Sequence, residues 1–384
     1  MTNVSATKRF RTRQEFKEKN NPKGKNYIIA IDVGYSGTKV FHENGYFCFP
    51  SYARRIETEP SIANADDILY KDLDTGHIYM VGWIAQKMVS SAESNDTDGK
   101  MNLRKIYNSE EYKIKCNTAI ALALERRSDD RPIHIMTGLP AAYLKDDTKD
   151  VKNSYKKPAH FAIKRGIGFW KAYDLALKDD QISVMAQPAG SMTSAFVKNN
   201  GEYIGDVMQY LTKNTLVLDI GFKTLDFYGF KNRIEDCVSS EDNKGMYEVL
   251  KKTAEKIRQE YNEGISIQAL QNNLDSGKFT CVNEDTLSSE EYDLAPILLA
   301  ESEVVFKEAM QYAKERTQAY RDYNYLIIGG GTGEAWFEKI KEYLSGLKTL
   351  KVISANQNCM ELPLIYANVR GYYMTEYLAE VAKK

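Results

Sequence analysis

The strongest constraint on what this chain can fold into is a short motif that occurs twice. Asp32-Val33-Gly34-Tyr35-Ser36-Gly37-Thr38-Lys39 returns in altered form as Asp219-Ile220-Gly221-Phe222-Lys223-Thr224-Leu225-Asp226. Each copy follows an apolar run of β-formers, Tyr27 to Ile31 in the first case and Thr215 to Leu218 in the second. Each therefore reads as a strand, an acidic turn and a returning strand. One such turn is an ordinary hairpin. Two of them, with a third glycine-rich turn later in the chain, predict two related domains that face a common ligand.

Length and charge narrow the class of that ligand. A chain of 384 residues is long for one domain and comfortable for two. The net charge of −1 contains no basic excess, so direct nucleic-acid binding is not expected. Five scattered cysteines without a CxxC pair predict reduced thiols rather than a disulfide framework or a zinc site, and four isolated histidines make no metal cluster. No stretch approaches the roughly 20 apolar residues of a membrane span, and residues 1–25 lack the apolar core of a secretory signal. A cytoplasmic location is expected. Those first residues are polar and mostly basic, including Arg9, Arg11, Arg13, Lys17 and Lys19. They read as a flexible extension, or as a tail for an acidic partner or neighbouring subunit.

Strands alternate with helical patterns along the rest. Residues 27–50 form a meander, and residues 68–82 a hairpin around Asp74-Thr75-Gly76. Residues 88–103 read as loop, and Tyr112, Cys116, Ala119, Ile120 and Ala123 recur at the spacing of an amphipathic helix. The pattern restarts near residue 185. It continues through helices on 246–261 and 294–313, a strand at Tyr325–Ile328 and a final helix over about 363–382. An α/β architecture with mixed sheets follows. The expected limits are the extension over 1–25, a first domain over 26–185 completed by 355–384, and a second domain over 186–354.

The turns carry the chemistry. Gly34 and Gly37 let backbone N–H groups approach phosphate oxygens, because no Cβ intervenes. Ser36 and Thr38 offer hydroxyls, and Lys39 can place a cation on a β-phosphate. Asp32 gains nothing by touching an anion, so its expected task is to hold Mg²⁺, through water, because that ion keeps much of its hydration shell. Asp219 repeats the task from the other side, with Gly221, Lys223 and Thr224 at the phosphates. Tyr35 and Phe222 belong to the same two turns. The third turn, Gly329-Gly330-Gly331-Thr332-Gly333, is neither a Walker loop nor a GxGxxG fingerprint. It opens a helix whose N-terminus, with Glu334, suits a nucleoside or its α-phosphate.

In this order the three turns resemble the actin/Hsp70/sugar-kinase superfamily. Within it, Ile31 to Val40, Val81-Gly82 before Ala85, Thr137-Gly138-Leu139-Pro140 with Tyr143, Asp219 to Asp226 and Ile328 to Gly331 resemble ParM/StbA-type plasmid-segregation actins. The resemblance runs from residue 26 to the C-terminus and leaves 1–25 outside. It implies an actin-like fold: two related domains with RNase H-like mixed sheets, flanked by helices, around a central nucleotide cleft. It also implies a Mg²⁺-dependent ATPase, or GTPase, that polymerises and moves DNA through a ParR-like DNA-binding adaptor. The family's water-positioning residue lies just before the second phosphate motif, which makes Gln187 the candidate here, unless it only caps the following helix. The best-known plasmid actin has a glutamate in this segment, whereas eukaryotic actin has glutamine. A glutamine aims water by hydrogen bonding without acting as a full base. The implied catalytic set is Gln187, Asp219 and Asp32.

Two other readings belong to the same superfamily. A small-molecule kinase of the sugar type would need a carboxylate base facing a second substrate. An Hsp70-like chaperone would need a β-rich peptide-binding domain after the nucleotide-binding one. Neither has a motif of its own in this sequence.

Overall fold

The computed structural model describes residues 4–62, 64–89 and 106–382. Two mixed sheets share one plan. In the first, the strands run in the order Glu15–Glu18, Gly45–Pro50, Gly37–His42, Tyr27–Val33, Ile133–Leu139 and Ile182–Ala186. Its first four strands pair antiparallel, and the last two join in parallel. In the second, Ile234–Asp242, Thr224–Lys231 and Thr215–Ile220 make the antiparallel side, while Tyr325–Gly329 and Lys351–Ser354 continue in parallel. The meander that starts at Tyr27 thus has its counterpart in the one that starts at Thr215. Mixed sheets were the expectation, and the duplicated motif opens both.

The central strands are apolar on both faces because helices cover both faces. Along Tyr27–Val33 the alternation of a strand divides the side chains between two cores. Ile29 and Ile31 join the cluster of the helix Glu110–Leu124, whereas Ile28 and Ala30 join Val369, Tyr372 and Tyr373 of the final helix, Ala367–Ala382. The helix Glu110–Leu124 corrects one expectation. Its apolar spacing predicts an amphipathic helix, yet every residue from Ile114 to Ala123 is buried. A second, wholly antiparallel sheet explains this by packing on the helix from the other side. That sheet runs Lys171–Leu175, Ala159–Arg165, Ile68–Asp72, Ile78–Val81 and Ala53–Ile56. The loop expected over 88–103 lies, from residue 90 on, outside the described residues.

The N-terminal segment corrects a second expectation. From Val4 onward it is part of the fold rather than a flexible extension. Val4–Lys8 is a short helix, and Glu15–Glu18 adds an edge strand to the first sheet. Phe10 is buried in the core that contains the second mixed sheet. The basic residues suggested solvation, but carboxylates far along the chain pair with them. Arg11 meets Asp275, Arg13 meets Glu334 and Lys19 meets Glu361.

The final helix crosses Gln187–Phe196 at an unusually small separation. A Cβ on Gly371 would lie 1.8 Å from the carbonyl oxygen of Gly190, so only glycine fits at this crossing. The close approach brings both helices to the ends of the two motif strands. All five cysteines are free thiols.

Candidate functional site

Both motif turns close in the same way. The Gly34 amide donates to the Gly37 carbonyl at 3.1 Å, and the Gly221 amide to the Thr224 carbonyl at 2.9 Å. Antiparallel register then decides what faces each leading aspartate. Asp32 lies opposite Lys39, whose Nζ is 3.1 Å from Asp32 Oδ2. Asp219 lies opposite Asp226. The first copy therefore contains its own counter-charge and the second concentrates negative charge.

Lys39 is in direct contact with Asp32, while Arg11, Arg13 and Lys223, which also line the cleft, pair with Asp275, Glu334 and Asp242. Asp32, Asp219 and Asp226 are all buried. Desolvation pushes the Asp219 carboxyl up to about 6, opposed by a hydrogen bond from Asn368 and aided by the charge of Asp32. Asp226 goes up to about 7, first through desolvation and then through repulsion from Asp219. Burying carboxylates with too little positive charge is costly, and a cation arriving from outside would relieve it. Among the described residues no three His, Cys, Asp or Glu side chains form a direct metal cage. The carboxylate donors fit a hydrated divalent cation held through its waters, as Mg²⁺ prefers.

Gln187 stands at the first position of the helix Gln187–Phe196, with Pro188 behind it, and no side chain caps that helix. Its Nε2 donates to Asp32 Oδ1 at 3.1 Å. The carboxylate of Asp32 thus receives Lys39 on one oxygen and Gln187 on the other. This use of the amide nitrogen leaves Gln187 Oε1 as an acceptor. On the opposite wall, Asn368 Nδ2 donates to Asp219 Oδ2, and Ser191 donates to Asn368 Oδ1 at 2.7 Å.

The third turn closes the back of the cleft. Gly330 has φ +82°, and a Cβ there would lie 2.3 Å from the Ile220 carbonyl and 2.5 Å from Asp219 Oδ1. Only glycine satisfies both conditions. Thr332 donates to the Gly221 carbonyl at 2.6 Å and accepts from the Met246 amide at 3.2 Å, which ties the third turn to the second. Glu334 accepts from Arg13 at 2.9 Å and from the Ile365 amide at 3.2 Å.

Most of the expected residues come together around one cleft. Asp32, Gly34, Tyr35, Ser36, Gly37, Lys39, Gln187, Asp219, Gly221, Phe222, Lys223, Thr224, Gly330, Gly331 and Glu334 all line it. Lys223 reaches across and stacks on the Tyr35 ring, 5.0 Å from its centroid, so the two turns touch. Two residues are placed differently. Thr38 is fully buried and its hydroxyl faces Ser51 at 3.0 Å, because strand alternation sends it to the side opposite Lys39. Gly329 ends its strand against Ser191 and serves close packing. Phe222 lines the cleft while its ring packs edge-on against Tyr247.

Asn368, Ser191, Thr332 and Arg13 were not among the expected site residues. Asn368 had a signal, a lone amide within the apolar run Leu364 to Val369, three residues before Gly371. Arg13 had none beyond being basic.

Comparison with known proteins bears on the fold. Residues 30–190 match the family model for the actin-like protein N-terminal domain. No curated protein matches the chain in sequence. Among solved structures, a non-polymerisable quadruple mutant of pCBH ParM superposes with a TM-score of 0.70 at 21% identity, over 91% of this chain and 99% of that one. A 15-stranded ParM filament from Clostridium botulinum gives 0.69 at 20% identity, over 92% and 99%. The archaeal actin homologue Ta0583 in complex with ADP gives 0.58 at 16% identity, over 91% and 99%. The chain therefore has the fold of the bacterial and archaeal actin homologues, and its residues 30–190 match the N-terminal domain of the actin-like proteins.

Proposed function

We propose that this protein is a nucleotide-driven, filament-forming ATPase or GTPase that acts with Mg²⁺. The observation that carries the reading is the junction of two walls at one cleft. Lys39 and Gln187 converge on Asp32 at one wall, while Asn368 holds Asp219 at the other. Phosphoryl transfer needs positioning and charge neutralisation more than covalent help, and this donor set suits that task.

Each residue then has a physical task. The backbone amides of the two glycine turns and of the Gly330–Gly331 turn approach the phosphates. Lys39 moves from Asp32 toward a phosphate oxygen, where its charge counts most. Asp32 and Asp219 would hold a hydrated Mg²⁺ through its waters, and the ion would supply the remaining neutralisation. Gln187 aims the attacking water through Oε1, with its amide fixed by Asp32. Asn368 keeps Asp219 oriented and ionised at neutral pH. Two solved relatives of the same fold are filaments, described as a ParM filament and an Alp12 filament. That favours self-association, with a cytoplasmic location and a plasmid-segregation role through a ParR-like DNA-binding adaptor. Near-neutral charge suits that division of labour, because the adaptor rather than this chain meets DNA.

Light scattering with electron microscopy after addition of Mg-ATP or Mg-GTP tests the proposal. Filaments with one of them support it. No filaments with either, together with turnover of a small hydroxylated substrate, moves the assignment to a kinase. An Asp219→Ala variant should lose nucleotide hydrolysis, and normal hydrolysis by that variant would remove the site.

A further inference from the structure

The N-terminal segment enters the cleft that the two motifs build. Phe10, Arg11, Thr12 and Arg13 line the same space as Asp32, Gly34 and Asp219. Its anchors lie on both sides. Toward the first sheet, Glu15–Glu18 pairs with Gly45–Pro50, Cys48 Sγ donates to the Arg13 carbonyl at 3.1 Å, and Gln14 Oε1 accepts from the Trp83 amide at 2.7 Å. Toward the second, Arg11 pairs with Asp275, Thr7 donates to the Leu274 carbonyl at 2.9 Å, and Phe10 is buried in the core cluster. Between these anchors Arg13 reaches Glu334 at the mouth of the third turn.

We propose that this segment is the outer wall of the nucleotide site, with Arg13 as the positioning residue that fixes Glu334, and that a bound nucleoside di- or triphosphate leaves only when the wall releases. The inference rests on the nucleotide-binding reading above. The physical reason is that the segment is bonded to both walls. Separating them breaks its bonds to one side, so any opening that frees the nucleotide also costs the strap contacts. Nucleotide and strap therefore stabilise the same closed arrangement. A plain structural edge strand would need only the pairing with Gly45–Pro50. The cross-cleft pairs of Arg11 and Arg13 go beyond it.

Release of a fluorescent ADP from the full chain, chased with excess unlabelled nucleotide in stopped flow, reads the wall directly. Arg11 and Asp275 are both partly exposed, so each single reversal, Arg11→Glu or Asp275→Arg, should speed release about two- to fivefold. The double reversal restores the pair and should return the rate toward that of the unmodified protein. Arg13→Ala should speed release about tenfold by freeing Glu334, with Arg13→Lys intermediate because it keeps the charge without the fork. Melting curves for the same proteins separate wall opening from loss of fold. Faster release at an unchanged melting temperature, rescued by the double reversal, supports the wall. Single variants that release ADP at the unmodified rate overturn it while leaving nucleotide binding intact. An unmodified protein that binds no labelled nucleotide overturns the function reading and the wall together.

Discussion

At the scale of the residue, the site is a matter of which charge faces which. Gln187 and Lys39 share the two oxygens of Asp32, so the first aspartate anchors both side chains. Gln187→Ala should lower phosphate release at least about tenfold with a much smaller effect on nucleotide affinity, since the aim of the water is lost together with one hydrogen bond to Asp32. Single-turnover hydrolysis beside a binding titration checks this. His42 offers a separate test away from the cleft. It is buried, and desolvation lowers its pKa from 6.5 to about 4. The unfolded chain then binds the proton more tightly. The contribution to stability is present above pH 6.5 and lost as pH falls toward 4, on the order of 3 kcal/mol in full. Asp219 and Asp226 act with the opposite sign, because their raised pKa values make the folded state gain protons first and favour it at lower pH. The clean measure is therefore a difference. Urea unfolding of the unmodified protein and of His42→Phe at pH 7.5 and pH 5 should show a smaller loss on acidification for the variant.

Secondary-structure elements set how those charges meet. The two helices that cross at Gly190 and Gly371 carry Gln187 and Ser191 on one and Asn368 on the other. Their close contact is what lets Ser191 hold Asn368 against Asp219. In Gly371→Ala the new methyl would collide with backbone atoms of Gly190, which cannot rotate aside as a side chain can. The expected cost is about 1–3 kcal/mol, with weaker nucleotide binding as Asn368 withdraws. Gly346→Ala, where nothing lies within 4 Å of the added carbon, is the matching control and should be near neutral. Thermal melting of the pair decides the matter. At this scale the sequence was readable where patterns were strong. The motif strands, the helix Met246–Tyr261 and the strand Tyr325–Gly329 follow their apolar periodicity. The hairpin of Lys278–Asn283 and Ser288–Asp293 had no such pattern, because most of its side chains are exposed on both faces.

Across the whole molecule, turns of two sheets of one plan line a single cleft, and contacts from distant parts of the chain join the two sides. The final helix packs on the first sheet while Asn368 reaches Asp219, and the N-terminal segment binds both sides. A cleft held by both walls responds to anything that shifts one wall against the other, including contact with another subunit. Hydrolysis should therefore be slow in dilute protein and accelerate, after a lag that shortens with concentration, as filaments form. Phosphate release followed together with light scattering gives the answer. A rate per subunit that does not change with concentration would count against coupling to assembly.

The sequence alone determined the two acidic turns, the third glycine turn and the order in which they occur. Those features depend on local rules: apolar runs make strands, glycine permits the turns, and the spacing repeats. Tertiary structure decided the rest. Thr38 turned away from the cleft because its strand alternates, and the helix Glu110–Leu124 became buried all round because a second sheet lies over it. Asn368 joined Asp219 from 149 residues away. The basic N-terminal segment, which locally reads as solvated chain, became a wall because its partners Asp275 and Glu334 lie in distant parts of the sequence. No local pattern encodes a charge pair across such a separation, since the pairing energy exists only once the fold has brought the groups together.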